Sequence, residues 1–117
     1  MPGPPEIELV RRAIVSHTTG DCEWQEKAAR RVRSDPDLQG LTPEGIKALL
    51  HDYVASEGPA VIDQRTETRE EHDQPFWYRV IVPVPQFKHG LFIEIILVDD
   101  DPDDPAVRIV NAHEQRR

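Results

Sequence analysis

The amino-acid sequence predicts an α+β domain, in which about three N-terminal helices pack on one face of a four-stranded antiparallel β-meander. Two patterns indicate this class. Apolar residues recur every three or four positions in the first half of the chain, and in the second half they alternate with polar residues. A length of 117 residues is ordinary for one domain. The expected layout is a single domain over 1–117, with a flexible lead-in at 1–5, a helical part at 6–58 and the sheet at 59–115.

The first two helices are expected from apolar spacing and from charge near the helix ends. The first begins after Pro5, because Ile7, Val10 and Ile14 then share one face. The second is expected over residues 22–34, "CEWQEKAARRVRS", with Asp21 as its N-cap. Basic residues crowd the second half of this segment, where the helix dipole favours positive charge.

The third helix has the strongest signal in the chain. Thr42 is placed to cap its N-terminus, Pro43 occupies the first helical position, and Gly58 ends it. An amphipathic stripe follows the cap at the spacing of one helix face. Its members are Ile46, Leu49, Leu50, Tyr53 and Val54.

Four strands are expected after residue 59. The first, "AVIDQRTETR", is predicted as an edge strand because its second half is polar. "FWYRVIVPV" alternates, which places Trp77 and Arg79 on the opposite face from Tyr78. "LFIEIILV" is almost continuously apolar and is predicted as a central strand. "AVRIVNAH" forms the last strand.

Composition narrows the range of functions. The chain has 22 acidic and 14 basic residues, a formal net charge of −8, and such a field repels phosphate backbones at long range. The single Cys22 excludes an intramolecular disulfide. No apolar run reaches the length of about 18 residues typical of a membrane-spanning helix, and the first residues lack a hydrophobic signal region. We therefore expect a cytoplasmic protein that does not contact a membrane.

The acidic segment 99–104, "DDDPDD", raises the question of a metal site. An EF-hand loop starting at Asp99 would need a central glycine and a glutamate at its twelfth position. Prolines fill the fourth and seventh positions instead, and Val110 is the twelfth residue. We expect a hairpin loop between two strands, with weak binding of calcium or magnesium by a loose carboxylate cluster as the alternative. No cofactor or structural metal is expected.

Several side chains are candidates for chemistry. His113, near the end of the last strand, is either a general acid or base or an ordinary polar residue. Arg79 and Glu94 form either a cross-strand ion pair or part of a phosphate-binding site. Cys22 near the start of the second helix is expected to be an incidental cysteine, and the alternative is a reactive thiol whose pKa the helix dipole lowers. None of the five histidines pairs with another at the i, i+4 spacing of a helical metal site.

The order of a helix, a basic helix, the "GLTPEGIKALL" helix and four antiparallel strands resembles the RelE/BrnT-like group within the barnase–EndoU–colicin–RelE superfamily of small RNases. The resemblance covers about residues 22–115. It implies metal-independent cleavage of RNA, in which Lys27 and Arg31 bind phosphate and Arg79 assists. His113 or Glu94 would handle protons.

Two functional hypotheses follow. The first is a protein-interaction domain of toxin/antitoxin-like type, without catalysis, whose exposed apolar patch includes Trp77 or Phe87. Its partner is another protein or a second copy of the chain. The alternative is a toxin-like ribonuclease that binds RNA through a local basic patch. It predicts that Lys27, Arg31, Arg79 and His113 converge on one cleft, with Glu94 as a further catalytic candidate.

Overall fold

A computed structural model describes residues 5–69 and 75–116, which form three α-helices, two short 3-10 helices and five strands. The α-helices are α1 (Glu6–Val15), α2 (Glu26–Arg33) and α3 (Pro43–Glu57). The strands are β1 (Cys22–Trp24), β2 (Asp63–Thr66), β3 (Phe76–Val84), β4 (Phe87–Asp99) and β5 (Ala106–Glu114). The 3-10 helices lie at Pro36–Leu38 and Pro59–Val61.

The strands form one five-stranded mixed sheet in the order β1-β5-β4-β3-β2. Strands β2 to β5 pair antiparallel, as expected, and β1 pairs parallel with β5. The α+β class is therefore confirmed, whereas the prediction of four purely antiparallel strands is wrong. The central position of β4 and the edge position of β2 agree with the sequence.

Strand β1 occupies the residues at which the sequence predicts the start of the second helix. The Val107 amide donates to the Asp21 carbonyl at 2.8 Å, and the Gln25 amide donates to the Ile109 carbonyl at 2.9 Å. The Trp24 indole Nε1 also donates to the Pro43 carbonyl, at 2.7 Å. These contacts with distant parts of the chain outweigh a weak local helix preference, so α2 begins only after Gln25.

Helices α1 and α3 match their predicted faces. In α1 the side chains of Val10 and Ile14 are buried, and the Thr42 hydroxyl accepts from the Gly45 amide at 3.0 Å to cap α3. Three positions of the α3 stripe are fully buried, and the other two are partly buried against the core. The fully buried ones are Ile46, Leu50 and Val54.

One core lies between the helices and the sheet. Residues from all three helices join alternate residues of β3, β4 and β5 in a single buried cluster. We call the sheet face that points into this cluster the inner face. Its side chains include Tyr78, Val80, Leu91, Ile93, Ile95, Val107 and Ile109, each at most 1% exposed.

The β3–β4 hairpin is tighter than expected. Residues 85–86 alone separate the strands, because β4 begins at Phe87 within the predicted connection "PQFKHG". The ladder is irregular between Val82 and Val84. Gly90, at φ +89°, lies where a Cβ would come within 2.9 Å of the Val82 carbonyl oxygen, so the close approach requires glycine.

Candidate functional site on the outer face of the sheet

The outer face of the sheet carries the side chains that alternate with the inner ones. The strand register aligns Arg79, Glu94 and Asn111 in one row across β3, β4 and β5. A neighbouring row contains Ile81, Phe92 and His113. Three of the five predicted site residues, Arg79, Glu94 and His113, therefore share one face.

Apolar side chains form a patch on this face. We name this set the outer patch: Trp77, Ile81, Phe92, Ile96 and Val98. Among the described residues, the core cluster and the partly buried side chains packed on it include none of the five. Val98 is 42% exposed, and it is the only exposed large apolar residue in 5–69 and 75–116. The other four are half-buried.

Three rings lie side by side across the strands of the outer face, with Phe92 between Trp77 and His113. The centroids of Trp77 and Phe92 lie 6.2 Å apart with the rings tilted by 56°. The imidazole of His113 stacks on Phe92 at 4.5 Å with an angle of 12°. His113 Nδ1 lies 2.9 Å from the Glu114 carbonyl oxygen, which only accepts hydrogen bonds. In the neutral imidazole this contact places the proton on Nδ1, so that Nε2 is the nitrogen with the lone pair.

Glu94 is buried beside the outer patch and is neutralised by an arginine from the loop between β2 and β3. Arg69 Nη2 donates to Glu94 Oε2 at 2.6 Å, and the same guanidinium makes two bonds of 2.9 Å to Glu67. The side chains of Glu67 and Glu94 are only 4% and 7% exposed. The bonds to Glu67 and then to Glu94 raise the pKa of Arg69 above its usual value. The cation is thus held between two buried carboxylates.

The predicted ion pair between Arg79 and Glu94 does not form, although the two residues are direct neighbours in the ladder. Arg79 instead donates to Asp63, its opposite neighbour on β2. Arg79 lies between Asp63 and Glu94 in the ladder. It pairs with Asp63, and Glu94 pairs with Arg69. Alternation along the strands predicts that these charges share one face. It does not predict which of them form ion pairs.

Among the described residues, neither of the two candidates on α2 forms a hydrogen bond or ion pair with Arg79, Glu94 or His113. Arg31 Nη2 donates to the Val110 carbonyl at 3.1 Å. Val110 is an extra residue in β5, since Ile109 faces Ile95 and Asn111 faces Glu94. Arg31 thus satisfies a carbonyl at an irregularity of the strand edge. Lys27, one helical turn earlier, is exposed.

Two other candidates, Cys22 and Phe87, are buried in the core. Cys22 lies in strand β1 with its side chain in the core, and burial raises the pKa of its thiol to about 11. The alternative of a reactive thiol with a lowered pKa is therefore wrong, because Cys22 lies in a strand and not at a helix N-terminus. Phe87, predicted in the exposed patch, is 3% exposed and belongs to the core.

The acidic segment is a hairpin loop between β4 and β5, as expected. The Asp101 and Asp103 amides donate to the carboxylates of Asp99 and Asp101 at 3.0 Å and 2.9 Å. Such turns account for the aspartates without a ligand. The described part of the chain contains no group of three or more histidine, cysteine or carboxylate side chains able to hold a metal ion.

Two features of the site are not predicted from the sequence. One is the outward ring of Phe92, which contacts Trp77 and His113, and the other is the pairing of Arg69 with Glu94. Alternation with Leu91 was a usable signal for the outward position of Phe92. Nothing local indicated that Arg69 pairs with Glu94, 25 residues away. His72 lies outside the described residues.

Comparison with family models, with curated proteins and with solved structures finds no match to this chain. Among the helices that the structure describes, none is long and apolar enough to cross a membrane.

Proposed function

We propose that this domain binds another protein and that the outer patch is its binding surface. The observation that supports this is the set of apolar side chains on the sheet face opposite the helices, outside the core cluster. Aromatic residues and arginines are enriched at the centres of protein interfaces. Both kinds of residue occur here, with Trp77 and Phe92 beside Arg79.

The charges around the patch favour a partner that presents apolar side chains over one that presents phosphates. Arg69 and Arg79 already pair with carboxylates, and Arg65 lies 3.5 Å from Asp63. A phosphate would have to displace these carboxylates, and the net charge of −8 opposes its approach. An apolar segment would instead be buried against the rings without breaking any ion pair.

Affinity capture with matched variants tests this proposal. The bait proteins are wild type, a Trp77→Ala/Phe92→Ala double variant, and Leu49→Ala as a control on the helical side, where Leu49 is also partly buried. Circular dichroism first establishes that all three are folded. Any captured protein is then purified and titrated against each bait.

We expect the double variant to weaken the purified complex by at least about tenfold, as for central aromatic residues of interfaces, and Leu49→Ala to leave it unchanged. Fluorescence in a Trp24→Phe background reports directly on Trp77, because the chain has two tryptophans. Equal binding by all three baits would contradict the proposal. So would repeated capture without a partner, combined with a monomer in sedimentation of the free chain.

A ribonuclease is the second candidate, favoured by the shared face of Arg79, Glu94 and His113. His113 would act as the proton-transfer group, since its Nε2 carries a free lone pair. Cleavage of RNA in EDTA by wild type, with loss of activity in His113→Ala, would favour this function. Lys27→Ala tests whether α2 takes part. Intact RNA at micromolar protein would leave the interaction domain as the preferred function.

A further inference from the structure

Two histidines meet on the helical side of the molecule, away from the outer patch. His17 follows the end of α1, and His51 lies in the middle of α3. Their ring centroids are 5.1 Å apart, and the rings are tilted by 50° rather than stacked. Both histidines line a surface cleft whose other lining residues are Ser16, Glu44, Lys47, Ala48 and Asp52.

A backbone contact determines which nitrogen of His51 is free. Nδ1 lies 3.1 Å from the carbonyl oxygen of Ile14. Because a carbonyl oxygen only accepts, Nδ1 carries the hydrogen and Nε2 keeps its lone pair. Histidines that bind metals typically donate their second nitrogen to a carbonyl or carboxylate, which fixes the ring orientation. His51 has this arrangement, which leaves its Nε2 lone pair for an ion.

The separation of the two rings matches shared coordination. Two imidazoles bound to one tetrahedral ion at about 2.1 Å per nitrogen have ring centroids roughly 5 Å apart. The observed 5.1 Å agrees with this value. The charge of Lys47 is paired with Glu23 at 3.6 Å. The carboxylates of Glu44 and Asp52 line the same cleft, and Glu44 also contacts Arg33 at 3.1 Å. A divalent cation therefore does not enter a purely cationic environment.

We propose that His17 and His51 bind a divalent transition-metal ion of the class that prefers imidazole, with zinc and nickel as members. The two histidines supply two ligands, and water completes the coordination. The absence of a third ligand among the described residues makes this an open surface site, weaker than the four-ligand structural zinc sites. The proposal does not depend on the function of the outer patch.

Titration of tag-free protein with zinc chloride and with nickel chloride tests the site. Calorimetry gives the stoichiometry and affinity, and NMR of the histidine side-chain nitrogens identifies the residues that respond. We expect one ion per chain, with shifts at His17 and His51. His17→Gln and His51→Gln should each weaken binding at least tenfold.

Two control variants distinguish this site from metal binding elsewhere on the protein. His89→Gln removes an exposed histidine on β4, and Asp101→Asn alters the acidic loop. Both should bind the ions as wild type does. Binding that survives His17→Gln, or that is lost in Asp101→Asn, would overturn the proposal. Circular dichroism of His51→Gln checks that the fold is retained. Should it be lost, His17→Gln, which alters an exposed loop residue, decides the outcome alone.

Discussion

The two faces of the same sheet differ sharply in composition and burial. The inner face is aliphatic apart from Phe76, Tyr78 and Phe87. The Tyr78 hydroxyl donates to Glu6 at 2.6 Å. Burial, and then this bond, raise the pKa of Tyr78 above its usual value. The outer face combines half-buried rings with paired charges. Strand alternation supplies both faces from the same strands, so one sequence pattern encodes a buried core face and an outer face with half-buried rings and paired charges.

Buried polar atoms have hydrogen-bond partners on both faces of the sheet, but the two faces achieve this differently. Across residues 5–69 and 75–116, no buried side-chain nitrogen or oxygen lacks a hydrogen-bond partner. The inner face achieves this by nearly excluding polar atoms, and the outer face by pairing Glu94 with Arg69. We infer that the inner face contributes most of the stability.

The largest expected difference between the faces is in the cost of truncation. Ile93 and Ile96 lie on the same strand, but Ile93 is fully buried and Ile96 is half-buried. Ile93→Ala should lower the free energy of unfolding by about 2–5 kcal/mol through lost burial and a cavity. Ile96→Ala should lower it by roughly 1 kcal/mol. Urea denaturation measures both, and equal losses would show that the outer patch is part of the core.

A smaller effect is expected from the buried ion pair of the outer face. Arg69→Ala leaves the Glu94 carboxylate buried without its cation, which should cost about 1–2 kcal/mol, since Arg69 is 40% exposed and solvent screens the charge. Adding Glu94→Gln should restore part of that loss. The exposed pair of Arg65 with Asp63 is the control, and Arg65→Ala should cost at most about 0.5 kcal/mol. A double-mutant cycle without coupling between Arg69 and Glu94 would refute this account.

The acidic loop, which lies outside both faces, should make stability depend on pH. The hydrogen bond with Asp21, followed by the charge of that carboxylate, raises the pKa of Asp104. A carboxyl group with a raised folded-state pKa binds its proton more tightly when folded. Its stabilising contribution is therefore complete below the unfolded pKa of about 4 and declines as pH rises through the folded pKa. Asp104→Asn should reduce the dependence of the urea unfolding midpoint on pH between pH 4 and 7. The same pH dependence as in wild type would contradict this account.

The smallest expected signal is the reactivity of Cys22, which faces the core. With a pKa of about 11, roughly one thiol in a thousand is ionised at pH 8, and the side chain is buried. Native protein should therefore not react measurably with a thiol reagent such as DTNB at pH 8, whereas protein unfolded in urea should react fully. Rapid reaction of native protein would indicate that β1 detaches from β5.

The elements that sequence reasoning predicted well are those governed by local patterns. The Thr42 cap and the apolar stripe of α3 act within a few residues, as does the alternation of β3. Strand β1 was not predictable in this way, because three residues carry little periodicity and their partner lies at Val107–Ile109. Strand β2 covers only Asp63–Thr66 of the expected segment 60–69, and a 3-10 helix at Pro59–Val61 precedes it.

For the candidate site, the sequence alone determined which face the residues of β3 and of the central part of β4 occupy, since alternation is a property of the backbone. It therefore placed Arg79 outward on β3 and Glu94 among the polar residues of the same face. Only the tertiary structure decided which side chains meet. The stacking of His113 on Phe92 depends on a register shifted by Val110, and the pair of His17 with His51 depends on how α1 packs against α3. Such contacts join residues far apart in the chain, where no local spacing carries the information.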